Sequence, residues 1–257
     1  MAKHYLQPDS TTWTEAVEHL ARPALLALWV ATSLPLHATA APPELQPYTA
    51  HYKTTARGIG MAVTRTLELG EGNAYVLTNG GKILVMGFHE VGVFHVEDEQ
   101  VKPQSYVYQG SGLVNRRREL HFDREAGRID SLYKDNWYQL PYSETTVDRM
   151  TQLEQLRLTL LAGDGEPAGI EMRVADGKRV KDSRLELVGE ETLETPLGSI
   201  DTLHYTRLHD SAERSSDIWV APQWDYLMVK TVHIEHDQPV EMVLTGASIG
   251  GVPVSAD

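Results

Sequence analysis

The chain has 257 residues, a net charge of −13 and no cysteine. Its length allows one or two domains, and an apolar fraction of 41% suffices for a packed core. The missing cysteine excludes disulfides, thiol nucleophiles and thiolate metal sites, and the acidity argues against nucleic acid as a partner, because it repels a phosphate backbone. In chain order, the first feature is "RPALLALWVATSLPLHATAAPPE", an apolar run from Ala24 to Leu36 behind Arg22, followed by Ala38-Thr39-Ala40. This is the pattern of an export leader with a small-residue cleavage site. The expectation is a signal peptide over 1–40, with an atypically long leading region that also holds Asp9, Glu15 and Glu18, cleaved near Ala40. A single β-rich domain over 41–257 would then reside in the periplasm.

From Tyr48 onward the dominant period is two. In "YTAHYKTTA", Tyr48, Ala50, Tyr52 and Ala56 share one face, because successive strand side chains point to opposite sides. "IGMAVTRTLEL" places Ile59, Met61, Val63, Leu67 and Leu69 together in the same way. The pairs Leu185/Leu187 and Leu203/Tyr205 and the triplet Val240/Met242/Leu244 repeat it. Turn signals stand between such runs: "NGG" at 79–81, "ADGK" at 175–178, "LGS" at 197–199 and "HDQP" at 236–239. The template predicts about a dozen strands. One segment departs from it. "DRMTQLEQLRLTLLAG", 148–163, spaces Met150, Leu153, Leu156 and Leu160 one helical turn apart, with Asp148 as the cap and Gly163 as the stop. The predicted fold is all-β and mainly antiparallel: one curved sheet forming a barrel or half-barrel, with one amphipathic helix packed against it.

The phrases "YQGSGLVNRRRELHFDREAGRI" (108–129), "GEETLETPLGSIDTLHYTRL" (189–208) and "IWVAPQWDYLMVK" (218–230) resemble the bacterial family known as domain of unknown function 3108. The likeness runs from about 48 to 246. It implies an exported, mostly β protein of the Gram-negative envelope, and it brings no activity with it.

The residues themselves argue against most chemistries. His233 and His236 form an H-x-x-H, but three residues along a strand puts them on opposite faces. No H-E-x-x-H, nucleophile elbow or phosphate loop is present. No catalytic residue, metal or cofactor is expected, and the protein is read as a non-enzyme.

Two features stand out. Arg65 interrupts the apolar series of its strand, and Arg118 shares a face with Leu120 and Phe122. A guanidinium on an apolar face must be paired or must reach water along its stem. It could also clamp the anionic end of a ligand beside a greasy cavity. The second feature is "DIWVAPQWDYLMVK", 217–230, in which two alternating runs flank Pro222 and Asp225. It reads first as a turn and its flanks, with Asp225 bonding backbone amides, and second as an aromatic contact surface. The candidate ligand-binding residues are therefore Arg65 and Arg118, Leu153 and Leu156 of the helix, and Trp219 and Tyr226. The expected function is binding of a hydrophobic or amphipathic envelope ligand, such as a lipid or an acylated molecule. An interaction module for an envelope protein is the alternative, and a hydrolase the third. A hollow interior favours the first and a filled one the second.

Overall fold

The computed structural model describes residues 44–56, 59–112, 115–163, 166–211 and 213–256, all within one unit, Ala41–Asp257. The leader expected over 1–40 lies outside the described residues.

The elements in chain order are β1 (Tyr48–Ala56), β2 (Ile59–Leu69), β3 (Tyr75–Ile83), β4 (Met86–Glu97), β5 (Gln100–Ser111), β6 (Arg116–Asp123), β7 (Arg128–Tyr133), β8 (Asn136–Pro141) and β9 (Thr146–Asp148). The helix α1 (Thr151–Ala162) follows, then β10 (Gly169–Asp176), β11 (Arg179–Thr195), β12 (Gly198–Arg207), β13 (Arg214–Ala221), β14 (Leu227–Glu235), β15 (Gln238–Ile249) and β16 (Val252–Pro253). All strands join one sheet in the order β8-β7-β6-β5-β4-β3-β2-β1-β15-β14-β13-β12-β11-β10-β9, with β16 on β15. The pairing of β9 with β10 is parallel, and the others are antiparallel. Several hairpins turn through two residues that both have positive φ: Asp98–Glu99, Lys134–Asp135 and His236–Asp237. This handedness matches the right-handed twist of the flanking strands, and the chain adopts it without glycine.

Chain connectivity forces the sheet to curl. β8 and β9 stand at opposite ends of the order, yet only residues 142–145 separate them in sequence. Laid flat, fifteen strands about 4.8 Å apart would hold those ends roughly 65 Å from each other. The connecting residues, fully extended, reach about 18 Å. The ends therefore meet. Ser131 Oγ of β7 donates to the Gly177 carbonyl at 2.6 Å, and Arg118 pairs with Asp176 at 3.3 Å. Gly177 has φ +61, and a Cβ there would stand 3.1 Å from the Tyr133 ring, so this seam needs glycine. No ladder joins β8 to β9 among the described residues, and the barrel stays open along that line.

Two expectations change in detail. "NGG", 79–81, lies inside β3 and is not a turn. A Cβ on Gly81 would come within 2.7 Å of the Ala62 carbonyl, so close approach of β2 explains that glycine. The helix packs on the sheet as expected, but it is covered on more than its leucine face. Leu156, Leu158 and Leu160 are buried, and so are Thr151, Glu154, Gln155 and Arg157. A helix enclosed by a barrel has no solvent side on which to place its polar residues, so these find partners inside. The cap falls where the sequence puts it: the Asp148 carboxylate accepts the Met150 and Thr151 amides at 2.7 and 3.0 Å.

Candidate functional site

The inner face of the sheet has two levels. Around the helix, Tyr48, Ala50 and Tyr52 of β1, Val63 and Leu67 of β2, Phe94 of β4, Tyr106 of β5, Ile218 of β13 and Leu244 of β15 are all buried. One step further along the same faces the side chains become half-buried: Thr54, Met61, Phe88, Tyr108, Ser216 and Met242. The registers Thr54↔Met242, Thr54↔Met61, Glu90↔Tyr108 and Ser216↔His233 place them side by side around one end of the barrel. The helix occupies one half of the interior, and the other half opens to solvent.

In the filled half, a helix residue and a strand residue share a carboxylate. Glu154 accepts Arg65 Nη2 at 3.1 Å, Arg157 Nη1 at 2.8 Å and the Tyr48 hydroxyl at 2.8 Å. Arg65 also donates to the Tyr48 oxygen at 2.8 Å and to the Met150 carbonyl at 3.0 Å. Arg157 Nε donates to the Asp225 carbonyl at 3.1 Å, and its guanidinium lies 4.8 Å from the Tyr48 ring centre. Burial opposes charge on Glu154, but Arg157 and Arg65 outweigh it and hold the carboxyl below the usual carboxylate range. Burial pushes the Tyr48 phenol up, so it stays neutral.

At the boundary between the halves lies the turn into the helix. Arg149 Nε is 3.4 Å from Glu90 Oε1, and Glu90 also accepts Tyr106 at 2.7 Å and Asn79 at 2.9 Å. Arg207 donates to Gln152 of the helix, and its buried Nε has no hydrogen-bond partner among the described residues. Burial lowers the Arg207 guanidinium. The open half continues with the stacked rings of Phe88 and Tyr108, 6.4 Å apart, and with Arg118, whose guanidinium lies 5.2 Å from the Tyr133 ring centre. On the opposite wall, Ser216 Oγ sits 2.9 Å from His209 Nε2 and 2.7 Å from His233 Nδ1. Burial, followed by Arg207, His233, Arg214 and Lys181, lowers the His209 imidazole.

The six candidate residues fall in four places. Arg65, Leu153 and Tyr226 line one small cavity of about 10 Å³ in the filled half. Leu156 is in the core. Arg118 stands in the open half. Trp219 is on the outer face, between the His204 ring at 4.3 Å and the Lys230 ammonium at 5.1 Å, with its indole N–H on Glu191 at 2.7 Å. Asp225 does fall at a turn, with Tyr226 also at positive φ, and its main-chain carbonyl receives Arg157. Glu154, Arg157, Arg149 and Arg207 were missed by pattern reading. A signal for the first two was present: leucines at 153, 156, 158, 160 and 161 exceed one helical stripe, the mark of a helix enclosed all round. Among the described residues, no group of three or more metal-ligating side chains converges. No helix among them is long and apolar enough to cross a membrane.

The fold has solved counterparts. A β-barrel-like protein of domain of unknown function DUF1849 from Brucella abortus superposes with a TM-score of 0.53 at 10% identity, over 80% of this chain and 98% of that one. A candidate lipoprotein from Parabacteroides distasonis gives a TM-score of 0.32 at 12% identity, over 80% and 97%. The Brucella likeness concerns the fold alone. No curated protein matches the sequence. Residues 47–245 match the family model DUF3108, "protein of unknown function", and the chain belongs to that family.

Proposed function

We propose that this protein is a non-enzymatic binding module of the bacterial envelope, exported by its leader, that takes an amphipathic anion in the open half of the barrel. The observation that carries the reading is the half-buried inner face at that end. Met61, Phe88, Tyr108 and Met242 supply an apolar wall that solvent reaches. Arg118, Arg149 and Arg207 stand beside and beneath it. Guanidinium groups next to an apolar surface suit a carboxylate or phosphate head on an apolar body. Arg65, expected to share that role, is taken up by Glu154, Tyr48 and Met150. A ligand enclosed along its whole length is disfavoured, because the helix fills the other half.

The test is a titration with a fluorescent fatty acid and its uncharged methyl ester. The wild type should bind the acid more tightly. Phe88→Glu should abolish binding of both, and Arg118→Ala should weaken the acid more than the ester. Absence of binding by the wild type would overturn the reading. The interaction-module alternative would then lead, and a specific observation favours it. β8 is a free sheet edge, and on it Trp137 is 56% exposed, its ring tilted against His121 at 5.8 Å over a surface groove lined also by Asp130 and Gln139.

A further inference from the structure

The buried ion cluster carries an uncompensated charge. Arg65 and Arg157 are two guanidinium cations with side chains 7% and 3% exposed, and Glu154, 1% exposed, is the one carboxylate that pairs with them among the described residues. Tyr48 is held neutral by burial, so the cluster has a net charge of about +1 inside the barrel. A buried charge is normally paired. The hydrogen bonds show where the pairing is incomplete. Arg157 uses Nε on Asp225 and Nη1 on Glu154, while its buried Nη2 has no hydrogen-bond partner among the described residues. Both oxygens of Glu154 are already taken by Tyr48, Arg65 and Arg157. Arg65, Glu154 and Arg157 all line the cavity of about 10 Å³, whose remaining wall includes Val220, Leu227 and Met228.

That volume admits one small species at a time, a water or a monatomic ion. It is too small for sulfate, phosphate or a carboxylate-bearing molecule. A water would accept from Nη2 but leave the charge uncompensated. A monatomic anion would do both. We infer that this cavity is a chloride site, one that fixes the helix to β1 and β2 by completing the charge balance around Glu154. The inference is independent of the ligand reading for the open half, which lies at the other end of the barrel.

The experiment is diffraction from wild-type crystals grown with sodium bromide, with thermal unfolding in parallel. Bromide should give an anomalous peak within hydrogen-bonding distance of Arg157 Nη2. At constant ionic strength, replacing gluconate by chloride should raise Tm saturably, by about 5–10 °C with chloride at a hundred times its dissociation constant. Arg157→Gln, if it folds, should lose that rise. If it does not fold, the bromide peak in the wild type decides. A water at the site with no bromide peak would overturn the inference, and so would bromide peaks confined to surface positions, which show an adventitious ion only. Equal Tm values in chloride and gluconate would overturn it as well.

Discussion

The same strands build two different interiors. Along β1 the inner face passes from Tyr52, 2% exposed, to the half-buried Thr54, and along β15 it passes from Leu244, 0% exposed, through the half-buried Met242 to Val240, 40% exposed. On one side of that level the inner-face positions are buried in the same core as the helix and its ion cluster. On the other the strands continue, still paired, around a space that no helix among the described residues enters. Periodicity in the strands is the same on both sides. What differs is the partner across the barrel, so strand pattern specifies the wall and the single helix specifies which part of the inside is solid. A half that is solid should respond to mutation as a core does. A half that is open should respond as a surface, and should show its chemistry toward ligands instead.

The sharpest way to break this comparison is Glu154→Ala. The variant leaves Arg65 and Arg157 buried with no acid between them. Removing one partner of a buried ion pair costs about 3–5 kcal/mol, so equilibrium unfolding in urea should show a loss of that size. A loss of about 1 kcal/mol would mean that water reaches the cluster, and the filled half would not be solid in the sense argued.

A paired truncation sharpens the contrast. Leu156→Ala, at 0% exposure, removes apolar contact on all sides and should cost about 2–5 kcal/mol. Met242→Ala makes a comparable deletion on the inner face of the open half and should cost about 1 kcal/mol or less, because the site already touches solvent. Equal losses would show that the open half is packed after all.

How much of this was legible follows from which interactions are local. Strand alternation is local, so the barrel wall could be read from runs between residues 48 and 244, and the helix with its Asp148 cap from 148–163. The curl also follows from short connections once strand order is known. Strand order itself is not local, and with it went the site. Whether Arg65 meets water, a ligand or Glu154 depends on a contact 89 positions away along the chain. Trp219 and Tyr226 belong to one memorable motif, yet they lie on the outer face and against an inner cavity. The turn between them reverses the chain and the pleat separates the faces. Phe88 and Tyr108 draw no notice in their own segments; they matter because β4 and β5 pair there at the level where the helix ends.

The last test concerns the boundary itself, where Asp148 caps the helix. Its carboxylate is fully buried among the Met150 and Thr151 amides and the Thr151 hydroxyl. Burial, which outweighs those hydrogen bonds, raises its folded value above the ordinary carboxylate range. A folded value above the unfolded one means that the folded state binds the proton more tightly. Stability from this group therefore grows as pH falls through the raised folded value, and the gain is complete near the unfolded value of about 3.9. Glu154 has the opposite sign: its contribution is present above about 4.3 and is lost as pH falls through its lowered folded value. In the window between them, mild acidification should add to the Asp148 contribution before the loss at Glu154 sets in. Asp148→Asn keeps an oxygen to accept the amides and removes the titration, so it should abolish the mild-acid gain while changing stability at neutral pH by about 1 kcal/mol or less. Comparing urea midpoints of the two proteins between neutral pH and pH 4 checks this. An identical pH profile in the variant would mean that Asp148 is wetted from the open side, which would move the floor of the open half deeper, past the helix cap.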